Sequence, residues 1–347
     1  RATLVRLLIV PLVNAAVLTD GVSLLSPREV PEEDILVHFL QVAASRPAGL
    51  ADPRLEPLDT ESQAARLQQA FPVAWVHVPK CGSSLNNFMI HLPGVCPGVP
   101  EDLVISTETF GPSHNAAFKK MYDPLGLDGA CEGHFYKWGN HPGVGHNWRP
   151  HYDSHGFIML RQPEQRILSG YHYGLQSWAR AVAPANEREY AEVIQGCAVR
   201  MLVRSGAGAQ DTCGAGIGGP TKWEEVKKAI HRLRTGFAFV GLTDEWPLSM
   251  CLGHRMFGGK CLLSDFVDGR VTVRTVNNRT PIAEKKMTVL AKSVPYNISV
   301  LQGFRDPYDG ALYEAAQDIF RDEMQRFGAS RASCQPCFEE AGVSHND

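Results

Sequence analysis

The sequence predicts an α/β fold, a parallel sheet flanked by helices with its ligand loops at the carboxyl ends of the strands, and three observations carry that prediction. Short apolar runs near 73–78, 157–160 and 237–241 are each followed at once by a helical pattern. The first two strand-to-helix joints carry basic and hydroxyl residues in an order suited to anions. A chain of 347 residues, 44% apolar and 20% charged, is also long enough to bury one substantial core.

From the N-terminus, Arg1 to Leu18 is an apolar run with basic residues at its start, interrupted by Arg6, Pro11 and Asn14. It reads as a signal peptide remnant, a membrane anchor, or a packed or interfacial helix. Pro27, Pro31, Pro47, Pro53 and Pro57 then punctuate a mixed-charge stretch expected to be a stem-like extension. The organisation expected is therefore an extension over 1–70, one catalytic domain over 71–330 and a polar, cysteine-containing tail over 331–347.

The first joint is Pro79-Lys80-Cys81-Gly82-Ser83-Ser84-Leu85. Pro79 ends the strand, Gly82 permits close backbone approach, and Ser83 or Ser84 can open a helix near 84–92 whose free N–H groups face an anion. Lys80 adds a mobile positive charge. A Walker loop places a glycine well before Gly-Lys-Ser/Thr, whereas here the lysine precedes the single glycine, so a nucleotide kinase loses its main support.

The second joint runs from Arg161 through Pro163, Arg166 and Ser169 to Tyr171. An arginine at a strand end offers a planar fork to a phosphate monoester, and Ser169, two turns along the expected 163–178 helix, can donate to the same group. Two anion sites on one sheet describe a bisphosphorylated nucleotide. Further helices are expected near 188–204, 222–234, 245–257 and 309–327, with the glycine-rich run 206–219 a surface or acceptor-side loop.

A net charge of −3 argues against general nucleic-acid binding, so any affinity for an anion is local. The histidines His134, His141, His146, His151 and His155 match no metal-ligand spacing, and no metal is expected. Nine cysteines and the sequon at Asn297 favour an oxidising lumen, with Cys81 the expected free thiol. Cys334 and Cys337 read as a local structural disulfide or unpaired thiols.

The two joints resemble the 5′-phosphosulfate and 3′-phosphate motifs of the sulfotransferases, in style those of Golgi carbohydrate (heparan- and chondroitin-type) enzymes. Gln162 stands where that family usually has aspartate. Segment 235–259 resembles the family's late strand and helix, and 271–280 its nucleotide-closing loop. The resemblance implies a membrane-anchored or secreted transferase that moves sulfuryl from 3′-phosphoadenosine 5′-phosphosulfate to a hydroxyl, on a glycan or another acceptor, without a metal. It implies Lys80 at the bridging oxygen and the N–H groups of Cys81, Gly82, Ser83, Ser84 and Leu85, with the two serine hydroxyls, at the 5′-phosphate. Arg161 and Ser169 would hold the 3′-phosphate, Asn278, Arg279 and Thr280 the nucleotide loop, and His134 the acceptor proton, with His141 or Glu132 as substitutes. The alternative is a glycan-binding protein that keeps the fold without catalysis.

Overall fold

The strands are β1 (Val73–Val76), β2 (Phe135–Tyr136), β3 (Gly143–Val144), β4 (Gly156–Leu160), β5 (Ser205–Gly206) and β6 (Phe237–Leu242). Four of them form a wholly parallel sheet in the order β2-β1-β4-β6, and β3 and β5 pair as a short antiparallel ladder. The computed structural model describes residues 60–104, 131, 133–136, 141–174, 184–206, 208, 212–214, 218–267 and 295–343. All of these fall in one unit, Arg54–Asp347.

The helices are α1 (Thr60–Ala70), α2 (Leu85–His91), α3 (Pro163–His172), α4 (Glu187–Ile194), α5 (Cys197–Val203), α6 (Trp223–Gly236), α7 (Trp246–Phe257), α8 (Leu263–Phe266), α9 (Pro307–Arg326) and α10 (Gln335–Glu340). Every residue of β1 and β4 is buried, as expected of parallel strands covered on both faces. Trp75 is in register with Phe157, and Phe157 with Phe239. Helices α2 and α7 close over this aromatic row, Phe88 at 5.8 Å from Phe239 and Phe257 at 5.1 Å from Phe157. Helices α6 and α9 pack on β6 and on each other.

The three expected strands and most expected helices are present, with instructive differences. The pattern over 188–204 is two helices, because Gly196 at φ 71° breaks it before α5. Within the expected stem, Thr60–Ala70 is helical, buries Leu67 and Ala70 and packs on α7. The expected tail carries α10, whose Phe338 is fully buried.

Four disulfides join Cys96 to Cys131, Cys197 to Cys213, Cys251 to Cys334 and Cys261 to Cys337, and Cys81 is free and buried. Cys334 and Cys337 are therefore neither paired locally nor free: each ties the C-terminus back to α7 or to the turn after it. Four disulfides fit a secreted or lumenal protein. Among the described residues, no helix is long and apolar enough to cross a membrane.

Candidate functional site

The two joints sit at the carboxyl ends of the adjacent strands β1 and β4 and are brought into contact. After β1 the chain turns through two left-handed residues, Lys80 at φ 64° and Gly82 at φ 77°. Gly82 is required twice over, by that conformation and because a Cβ there would collide with the Trp246 ring at the start of α7. Close approach is thus made first to the protein's own core.

Within the loop, Cys81 N–H donates to Val78 O at 3.2 Å and Leu85 N–H to Gly82 O at 3.1 Å. Those two N–H groups, expected to face the anion, are engaged internally. The N–H groups of Gly82 and Ser83 donate to no group among the described residues. Ser83 Oγ lies 3.0 Å from His77 Nε2, and Ser84 precedes α2 without a capping hydrogen bond.

Helix α3 lies along this loop. At its start, the Arg161 backbone N–H donates to the Cys81 sulfur. At its end, Lys80 Nζ stands 3.7 Å from the centre of the Tyr173 ring. Burial pushes the Cys81 thiol up to about 12 against the opposing charges of Arg166 and Arg161, so Cys81 is a neutral packing group and no nucleophile at neutral pH. Arg161 rests over the Tyr296 ring at 5.6 Å. Ser169 is buried on α3, and its hydroxyl has no hydrogen-bond partner among the described residues.

Arg166 serves the scaffold. It is 2% exposed and pairs through Nη2 with Asp309 Oδ2 at 3.1 Å. Desolvation pulls this guanidinium down, but Asp309 and further negative partners more than offset it and raise it overall. Asp309 also accepts from Ala198 and Val199 at the start of α5, and Asp306 accepts from Gly196, Tyr308 and Asp309. Glu164 accepts from the Asp306 N–H at 3.0 Å, so α3, α5 and α9 meet in one buried polar cluster. The Gln162 side chain caps α3 by accepting from Gln165 N–H and also donates to Glu164, which is how glutamine serves at this position.

The fold separates the expected histidines. His134 O accepts from Val73 N–H, at the amino end of β1, and its exposed ring stacks on Phe71. A strand of this length puts it roughly 13 Å from the loop. It is therefore not brought to the Lys80 loop. His141 is: its ring lies 4.0 Å from that of His77, and its Nδ1 is 2.8 Å from His77 O. A carbonyl can only accept, so Nδ1 carries the hydrogen and, in the neutral ring, Nε2 is the basic nitrogen. Glu132, Asn278, Arg279 and Thr280 lie outside the described residues.

His77, Tyr173 and Tyr296 were not anticipated as parts of the site. Their only sequence signal is proximity to a motif or, for Tyr296, none. At the carboxyl end of β6, Tyr313 OH donates to Asp244 Oδ2 at 2.6 Å, which raises the phenol beyond what burial alone does. Among the described residues no cluster of His, Cys, Asp or Glu could hold a metal ion.

A cleft of about 520 Å³ lies elsewhere, at the carboxyl end of α7 between Gln63, His254, Arg255 and Glu340. It contains none of the expected residues. Comparison of the chain with family models, with curated proteins and with solved structures returned no match.

Proposed function

We propose that the chain is a sulfotransferase with the fold of that family, transferring sulfuryl from 3′-phosphoadenosine 5′-phosphosulfate to a hydroxyl, on a carbohydrate by the style of its motifs. The observation that supports this reading is the contact of the two joints, Arg161 N–H on Cys81 and Tyr173 under Lys80, which brings the Lys80 loop and the Arg161 joint side by side. The four disulfides support a lumenal setting, for which the Golgi is the proposed compartment.

In this reading the Gly82 and Ser83 N–H groups and Lys80 receive the 5′-phosphosulfate, and Arg161 and Ser169 the 3′-phosphate. The acceptor oxygen attacks sulfur, the bond from sulfur to the bridging oxygen breaks, and the electron pair leaves on the phosphate, where the Lys80 ammonium stabilises it. The acceptor proton passes to Nε2 of His141, in place of the expected His134. Positioned cations suffice because the transferred group carries less charge than a phosphoryl group.

Calorimetric titration with 3′-phosphoadenosine 5′-phosphate, in the absence of metal, tests the donor site, with adenosine 5′-phosphate as the control. Tight binding that needs the 3′-phosphate is expected, with Arg161→Ala weakening it by about 10- to 100-fold, the loss of a charged hydrogen-bond pair. Equal or absent binding of the two nucleotides overturns the reading.

A further inference from the structure

Tyr173 touches the charge of the loop without belonging to either expected anion site. Its ring centre is 3.7 Å from Lys80 Nζ, yet the residue is 56% exposed, so burial of the ring does not account for its placement. Its backbone is held: the N–H donates to Ser169 O at 3.3 Å, and Gly174, at φ 86°, turns the chain with its own N–H on Tyr171 O at 3.0 Å. Lys80 in turn is only 9% exposed and leaves a left-handed backbone. An ammonium is attracted to the face of an aromatic ring. A lysine is also a flexible point charge whose ordering is costly at the moment of binding, and a ring that confines it beforehand lowers that cost.

We infer that Tyr173 is a positioning residue for Lys80, presenting the ammonium at the loop mouth to the 5′-phosphate end of the nucleotide while its backbone ties that placement to Ser169. The inference rests on the donor reading above for its ligand, whereas the hold of Tyr173 on Lys80 can be measured without any nucleotide.

The test compares the wild-type chain with Tyr173→Leu and Tyr173→Phe. The leucine variant should bind 3′-phosphoadenosine 5′-phosphate and adenosine 5′-phosphate each about three- to tenfold more weakly, the range of a lost cation–π contact, with their ratio unchanged. The phenylalanine variant should match the wild type, because the ring face is kept. In the same proteins, acetylation of Lys80 by acetic anhydride, followed by mass spectrometry, should be several-fold faster in the leucine variant only. Binding that is equal or tighter in the leucine variant overturns the inference, as does an equal loss in the phenylalanine variant. If the wild type binds neither nucleotide, the donor reading fails separately. Acetylation then decides: a rate unchanged by leucine overturns the role of Tyr173, and a rise restored by phenylalanine sustains its hold on Lys80.

Discussion

The two ends of α7 present opposite kinds of surface. At the amino end, Trp246 fills the space under Gly82, no cavity is needed, and the loop above retains backbone donors and a lysine on an aromatic face. The carboxyl end has the cleft, but its polar lining is engaged. Gln63 donates to His254 O and Arg255 O, Arg255 to Phe327 O and Ser333 O, His254 pairs with Asp265 at 3.0 Å, and Glu340 accepts from Cys261 N–H. What sets the loop end apart is the Gly82 and Ser83 N–H groups, without a partner among the described residues, beside a lysine held on an aromatic ring.

The histidines provide the largest expected contrast. His141→Ala should lower the transfer rate by about 10²- to 10⁴-fold, the span of general-base catalysis, with donor affinity nearly unchanged. His134→Ala, at the far edge of the sheet, should change neither. Single-turnover assays with labelled donor separate the two, and a rate loss confined to His134→Ala would refute the assignment.

At the cleft end, replacing Cys251 and Cys334 together by alanine should cost about 2–5 kcal/mol of stability, the usual range for a native disulfide. Urea denaturation reads this loss, and nucleotide affinity below the transition should stay at the wild-type value. A parallel loss of affinity would join the two ends of α7 into one functional unit.

At the loop end, Gly82→Ala should destabilise by about 2–4 kcal/mol, combining a left-handed backbone with overpacking against Trp246. Unlike the disulfide variant, it should also weaken nucleotide binding, since the turn carries the Gly82 and Ser83 donors. Retained affinity would show that the donors are held by something other than this turn.

A smaller effect comes from the cluster behind the loop. Burial, with the Asp309 carboxylate beside it, pushes Asp306 from its ordinary value of 3.8 up to about 7. Between those values the folded chain keeps a proton that the unfolded chain has lost, so stability falls as pH rises through this window and levels above it. The urea midpoint should decline between about pH 4 and about pH 7, and Asp306→Asn should flatten that slope. A midpoint that stays flat over the same interval in both proteins would place Asp306 at or below its ordinary value instead.

Much of the fold was legible because its signals are local. Val73–Val76, Gly156–Leu160 and Phe237–Leu242 are continuous buried runs, each followed by a helix whose start carries hydroxyl, acidic or proline residues. Helix α1 was not legible, since Leu67 and Ala70 give too faint an apolar stripe beside upstream prolines. The tail misled for a related reason. Cys334 and Cys337 are near neighbours in sequence, yet their partners lie 83 and 76 residues away, and spacing says nothing about such pairings. Cys81 was legible as the free thiol because an odd count leaves one and the loop is a poor place for a bridge.

By itself the sequence determined the strand-to-helix joints at Lys80 and Arg161, the residue types an anion needs, and their place at strand ends, because propensity and periodicity act over a few residues. Tertiary structure alone decided what those residues do. It assigned Arg166 to a buried pair with Asp309 and Arg161 to the Tyr296 ring, although one helix carries one and begins beside the other. It also set His141 beside the loop and His134 a strand away, since parallel strands carry their two ends to opposite edges of the sheet.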